Sequence, residues 1–446
     1  MSDSSLAYAS AATSALSVSS VSSVITVSPV APASPAYPVA PSAPAARSAI
    51  AKGTLEFKRS NRALFFGGFA TFSLLYCIQP LFPLLSQQFH LTPAQSSWSL
   101  SVSSGLLAIS LVLLSAVSDR IGRKPLMVAS LFASAILTIL SAFARDYAQL
   151  LMIRAALGVA LGGMPAVAMA YLGEEIEGPS LGLSMGLYIA GSAFGGMSGR
   201  LVASMLSDFL SWRWALGVLG VAGLLAAAEF WRSLPASKNF VPSTRGWNAL
   251  PHAIKQHFSD QGLPWLFCLA FVLMGCFVSL YNYIGYRLLA APFGLRHSTL
   301  GLLALLYLIG IFSSVWAGRL VDRLGRRGVL WIMLSVMLSG ILLTLFDSLP
   351  LIVIGMALAT FGFFASHSIA SSWVSRRARA PQALASAFYL LFYYLGSSLI
   401  GSASGMMWGY DGWTGIVTML GLCLAGGLLV ALRLRHLQPL GAREAA

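Results

Sequence analysis

Two charged signatures, nearly alike and set 203 positions apart, constrain this chain more than any other feature. The first reads Ser115-Ala116-Val117-Ser118-Asp119-Arg120-Ile121-Gly122-Arg123-Lys124, and the second Gly318-Arg319-Leu320-Val321-Asp322-Arg323-Leu324-Gly325-Arg326-Arg327. Each follows one apolar segment and precedes another. A signature that returns at half-length amid apolar spans implies two related membrane-embedded halves, an organisation typical of secondary transporters.

Composition sets the number of spans. Of 446 residues, 57% are hydrophobic and only 9% charged, against about 25% charged in a typical soluble domain. A spanning helix needs roughly 20 apolar residues. The apolar runs fall near 63–86, 97–117, 126–145, 148–172, 181–205, 213–231, 264–288, 298–317, 329–346, 349–372, 384–406 and 413–432. The expected fold is therefore an all-α membrane protein of twelve transmembrane helices in two pseudo-symmetric six-helix bundles. Residues 1–60 read as a disordered Ala/Ser/Pro-rich cytoplasmic tail rather than a signal peptide. A transit peptide or a mis-assigned start codon is the alternative. The first bundle is expected over 61–231 and a cytoplasmic linker over 232–263, with an amphipathic stretch around Trp247 to Phe258. The second bundle is expected over 264–433, and a cytoplasmic tail closes the chain at 434–446.

The net charge of +14 raises the question of nucleic acid, and its distribution answers it. With the N-terminus in the cytoplasm, 22 of the 28 Lys and Arg residues fall on the cytoplasmic side, which is the positive-inside bias. There is no basic stripe interleaved with aromatics, so no nucleic-acid partner is expected. The four cysteines lie inside spans without a CxxC pair, and neither a disulfide framework nor a metal site is expected. Motifs of membrane enzymes are missing, so the chain does not read as an enzyme.

The repeat extends past the signature. Phe72-Ser73-Leu74-Leu75-Tyr76 answers Phe277-Val278-Ser279-Leu280-Tyr281, and Phe89-His90-Leu91 answers Phe293-Gly294-Leu295. With these residues the chain resembles the major facilitator superfamily over 63–433. The signatures resemble that family's motif A, G-x-x-x-D-R-x-G-R-[RK]; the second copy fits it fully and the first has Ser115 in place of Gly. Tyr76–Pro83 and Gly186–Arg200 resemble the family's YnfM-type branch of efflux proteins. The resemblance implies that Asp119, Arg120, Gly122, Arg123 and Lys124, with Gly318, Asp322, Arg323, Gly325, Arg326 and Arg327, form a gating latch that locks the cytoplasmic ends while the pore faces outward. Topology determination alone is the blander reading of the same charges.

Arg154 within the fourth span, followed by Gly158, resembles motif B. A charge at membrane depth costs at least about 2.5–3.5 kcal/mol on insertion scales and is usually functional. Arg154 is expected to face the cavity or a neighbouring carbonyl, and the resemblance implies proton coupling or anion attraction; snorkelling is the alternative. Gly191, Gly195 and Gly196 resemble motif C with Ser192 in place of its Pro, and small residues at this spacing allow close helix packing. Arg200 either lines the periplasmic vestibule or snorkels. Glu174 and Glu175 are candidate proton carriers, although solvated loop charges are the plainer reading. His367, the one histidine within a span, titrates in a range suited to proton exchange. On the family pattern the polar lining of a central cavity is expected from Tyr76, Gln79, Tyr281, Asn282, Tyr283, His367, Tyr389 and Tyr393, a set suited to a neutral or amphipathic small molecule. The expected function is proton-coupled efflux of a small organic molecule by alternating access. Uptake by symport is the alternative within the class, and a channel or receptor is the alternative outside it. Expected partners are the lipid bilayer, a small-molecule substrate and protons. No cofactor beyond a proton gradient is expected, the chain reads as a monomer, and its place is the cell inner membrane with both termini cytoplasmic.

Overall fold

The computed structural model describes residues 49–240, 250–378 and 382–437. Of the tails expected at 1–60 and 434–446, residues 1–48 and 438–446 lie outside the described residues. Those described contain long helices and no strand; Ile50 and Ile176 form one isolated parallel bridge. In lipid only internally satisfied backbone can span, and helices meet that requirement segment by segment.

The first half comprises α1 (Leu55–Phe89), α2 (Pro93–Ile121), α3 (Arg123–Ala142), α4 (Tyr147–Glu175), α5 (Gly178–Phe209) and α6 (Trp212–Ser233). The second comprises α7 (Leu263–Leu289), α8 (His297–Leu324), α9 (Arg326–Leu343) and α10 (Leu349–Arg377). It closes with α11 and α12, the two parts of Gln382–Arg435, which separate at Asp411 (φ −147°) and Gly412 (φ +51°). By length and composition ten segments among the described residues qualify as membrane spans, the last of them containing α11 and α12 together. α5 falls short because glycine and serine dilute its hydropathy, yet it runs 32 residues.

α1 begins earlier than the apolar pattern indicates. Thr54 Oγ1 accepts from Phe57 N at 3.1 Å and caps the helix, so Leu55 to Ser60 are helical although the sequence places them in a disordered tail. The linker contains the short helix Leu250–Phe258, where an amphipathic stretch is expected. Asp260 then caps α7, accepting from Gly262 N and Leu263 N at 2.7 and 2.8 Å, and takes Arg377 Nε of α10 at 2.5 Å.

Within the first half α1 packs on α5 and α6, α2 on α4, and α3 on α6. Within the second, α7 packs on α11 and α12, α9 on α10, and α8 on α10. The halves meet along α2 with α11 and along α5 with α8. Their hydrogen bonds to each other lie in the middle of the spans and at the pole opposite the charged signatures. At that pole Ser86 and Ser96 share Tyr286 Oη at 2.7 and 2.5 Å, and Asp208 accepts from His297 N and Ser298 N at 3.1 and 2.7 Å. At the basic pole no hydrogen bond joins the halves among the described residues.

Glycines on α5 set how closely α1 approaches. A Cβ on Gly191, Gly195 or Gly199 would stand 2.3, 2.1 or 2.5 Å from the carbonyl oxygens of Phe65, Phe69 and Ser73. The spacing of four residues keeps all three on one face. Gly195→Leu is expected to separate α1 from α5 and to destabilise the detergent-solubilised protein by about 1–3 kcal/mol or more. Gly217→Leu, where nothing lies within 4 Å of a Cβ, is the matched control. Equal melting temperatures for the two variants would contradict this packing.

Candidate functional site

The site is built around a break in α1. Its α-helical run stops at Tyr76, a 3-10 turn follows over Gln79–Leu81, and helix resumes at Phe82. Pro80 and Pro83 lie in this segment, and Pro80 has no amide hydrogen to return to the preceding turn. Carbonyls at the end of the first run must find other donors.

Arg154 supplies them. From α4 its Nη1 donates to Leu74 O at 3.2 Å and its Nη2 to Leu75 O at 2.8 Å, while Nε donates to Ser99 O of α2 at 3.0 Å. Its own carbonyl accepts from Ser103 Oγ at 2.7 Å. The side chain is fully buried, so it does not snorkel, and its hydrogen bonds run to backbone carbonyls. A cation on carbonyls at the negative end of a helix is also favoured by the dipole. Of the two placements expected from sequence, cavity or carbonyl, the structure has the second.

Beyond the break, Gln79 reaches the seam between the halves. Its Nε2 donates to Asn282 Oδ1 at 2.5 Å and to Val278 O at 3.3 Å on α7, and its Oε1 accepts from Arg200 Nε of α5. Arg200 Nη1 donates to Gly196 O at 2.7 Å. The guanidinium carbon lies 4.1 Å from the Tyr76 ring centroid, 4.8 Å from Tyr307 and 5.8 Å from Tyr281. Only 4% of Arg200 is exposed, so it lines this interior and does not snorkel. Gly196 is not a packing glycine of the kind its motif implies: a Cβ there would meet Arg200 Nη1 at 3.3 Å and Tyr76 at 3.7 Å, so the position makes room for the guanidinium. Gly199, outside the motif, completes the packing face.

A second polar group lies on α10 and α11. His367 Nδ1 and Tyr389 Oη are 2.9 Å apart, and the His367 ring lies tilted 4.7 Å from Tyr393 and stacks 6.0 Å from Phe363. His367 and Tyr393 are half-buried. Tyr281 Oη pairs with Thr360 Oγ1 at 3.0 Å. Tyr283 is placed elsewhere: fully buried, its hydroxyl donates to Gly401 O of α11 at 2.7 Å, which takes it out of the expected cavity lining. Sequence reasoning missed Tyr307 altogether, because it sits on the partly 3-10 stretch of α8 without a motif.

At the basic pole the two signatures share a backbone and differ in partners. Gly122 (φ +96°) and Gly325 (φ +74°) end α2 and α8 in a conformation that favours glycine. In the first copy Arg123 is buried and bridges two acids, Asp119 Oδ1 at 2.6 Å and Glu174 at 2.6–3.2 Å, and its guanidinium also lies 5.3 Å from the Phe240 ring. Lys124 Nζ donates to Leu234 O. Glu175 is fully buried and accepts from Asn239 N at 2.8 Å, so neither glutamate is a solvated loop charge. In the second copy Asp322 is exposed and forms no ion pair among the described residues. Arg327 donates to Arg435 O and Leu437 O. Arg120, Arg323 and Gly318 are exposed, with nothing within 4 Å of a Cβ at Gly318, and Arg326 is half-buried. The polar contacts described for both signatures stay within their own half.

The profile of the Major Facilitator Superfamily matches residues 64–287 and 284–445. The inner membrane transport protein YnfM of Escherichia coli is 47% identical over 387 residues, covering 87% of this chain and 93% of YnfM. The uncharacterised transporter YybF of Bacillus subtilis is 44% identical over 371 residues, covering 83% of this chain and 92% of its own length. Among solved structures, a bacterial homologue of the human lysosomal transporter Spinster, inward-facing and unoccupied, superposes with a TM-score of 0.66 at 16% identity over 85% of this chain and 95% of that one.

Arg154→Leu is expected to leave Leu75 O without its donor and to take one donor each from Leu74 O and Ser99 O, which Cys77 Sγ and Ser103 Oγ also reach, a loss on the order of 1–3 kcal/mol in folded stability. Thermal unfolding in detergent checks this against Asp119→Asn, which removes one half-exposed ion-pair partner and is expected to cost under about 1 kcal/mol. An Arg154→Leu protein that melts with the wild type would contradict the capping role.

Proposed function

We propose a function from one premise: the chain belongs to the Major Facilitator Superfamily. It is a multi-pass membrane transporter and not an enzyme. Our finer reading is a secondary active transporter that works by alternating access and exports a small organic molecule in exchange for protons. It sits in the cell inner membrane as a monomer, with both termini and the basic pole in the cytoplasm and no cofactor beyond the proton gradient. The observation that carries this reading is the one-sided seam. Polar bonds join the halves mid-span and at the pole opposite the signatures, and none joins them at the basic pole among the described residues. With the basic pole inside, this arrangement corresponds to an inward-open state.

In the outward-open state Asp119 and its neighbours latch the basic pole. Of the candidate proton carriers, His367 suits the task best. It is half-buried on α10, and among the described residues only Tyr389 is its side-chain hydrogen-bond partner, whereas Glu174 is held by Arg123 and Glu175 by Asn239. An imidazole changes charge near neutral pH. A proton taken there alters the charge between the halves and biases one state over the other. Uptake in symport uses the same geometry with the opposite sign of flux.

Sealed proteoliposomes with an imposed pH gradient separate these outcomes. The wild type is expected to drive labelled compound against its gradient, and His367→Gln is expected to keep exchange of labelled for unlabelled compound while losing gradient-driven accumulation. Flux indifferent to the pH gradient would contradict proton coupling, and ohmic single-channel currents would contradict alternating access.

A further inference from the structure

We infer that Arg200, with Asn282, binds a carboxylate group of the transported molecule, so that the substrate class is a small organic anion. The inference rests on the transporter reading above and adds the chemistry of its ligand. Arg200 is 4% exposed in the interior of α5 and takes part in none of the ion pairs formed among the described residues. Its two hydrogen bonds go to neutral acceptors, Gln79 Oε1 and Gly196 O. A buried cation without an anion is costly. Three tyrosine rings at 4.1–5.8 Å offset part of that cost through cation–π contact. Arg154 differs, because its guanidinium is committed to three carbonyls.

The neighbouring amides are oriented by this cation. A guanidinium only donates, so Gln79 must turn its Oε1 toward Arg200, which leaves its Nε2 to donate to Asn282 Oδ1. Asn282 Nδ2 is then left over, and it is buried without a partner. Arg200 Nη2 likewise makes no hydrogen bond among the described residues. Arg200, Gln79, Tyr281 and Asn282 line one small pocket at the seam of α1, α5, α7 and α8. Two donors, one of them charged, are without acceptors among the described residues, and their residues line a pocket with no acid in its lining. A carboxylate matches them: it accepts from both and neutralises the cation. Of the three rings around the guanidinium, Tyr281 also lines that pocket and gives the rest of such a ligand an aromatic surface.

The site also touches the seam. Gln79 is at once the acceptor of Arg200 and the donor that ties α1 to α7. A carboxylate that draws the guanidinium away from Gln79 loosens that tie, so occupancy and the mid-span contact between the halves are linked.

The test uses the purified full-length protein in detergent and three acid–amide pairs as probes: benzoate and benzamide, hexanoate and hexanamide, succinate and succinamide. Shift in melting temperature against concentration reads affinity. At least one acid is expected to bind the wild type while its amide does not. Arg200→Gln is expected to weaken that acid about tenfold or more, the loss of a charge-assisted hydrogen bond. Asn282→Asp, which places a carboxylate inside the pocket beside Arg200 and is expected to keep the fold, should abolish acid binding as well. Amides that bind as tightly as acids, acids that bind neither better nor at all to the wild type, or an Asn282→Asp protein with unchanged acid affinity would each overturn the anion site. The transporter reading would survive those results, because gradient-driven flux in proteoliposomes tests it separately.

Discussion

The break in α1 at Tyr76–Gln79 is the constraint on which the rest of the interior depends. An interrupted helix in a membrane exposes carbonyls that water cannot reach, and the surrounding chain must supply donors. Here two arginines attend the break from different sides. Arg154 takes the carbonyls of Leu74 and Leu75, and Arg200 takes the side chain of Gln79, which the turn delivers to the seam. Arg154 is committed to backbone, and Arg200 keeps Nη2 without an acceptor among the described residues. That difference in what each guanidinium touches, rather than depth alone, separates a structural charge from one available to a ligand.

The repeat carries the same backbone into both halves and then fills it differently. Both signatures end their helix on a glycine of positive φ. In the first, Arg123 finds Glu174 on α4. The position 203 residues after Glu174 is Arg377, which turns instead to Asp260 of the linker at 2.5 Å. The second signature therefore has no acid on α10 to receive Arg326, and Asp322 stays exposed. The first copy is tied to its own half by a buried bridge, and the second leans on the end of α12 through Arg327.

Much of this was legible in the residues. The spans follow from hydropathy and the halves from the repeated signature, since a period of about 200 residues in an apolar chain has few other meanings. Tyr76, Gln79, Tyr281 and Asn282 read as interior polar residues because midplane amides and phenols need partners. Their particular bonds were not legible, because the Gln79–Asn282 contact joins residues 203 positions apart and depends on how the halves meet. Tyr283 looked equivalent to Tyr281, yet it faces Gly401, because two positions along a helix turn a side chain by more than half a revolution. The start of α1 at Leu55 was hidden by a charged first turn, and the role of Gly196 by a motif whose glycines serve two purposes.

A direct measurement of alternating access is the distance between the halves at each pole. Spin labels at Arg120 and Arg323 report the basic pole, and labels at Phe209 and Arg296, all four positions being exposed, report the other. Pulsed dipolar spectroscopy of both pairs in lipid nanodiscs, across pH and with added ligand, gives the populations. The account predicts that whenever one distance shortens the other lengthens. Two distances that stay fixed, or that lengthen together, would contradict it.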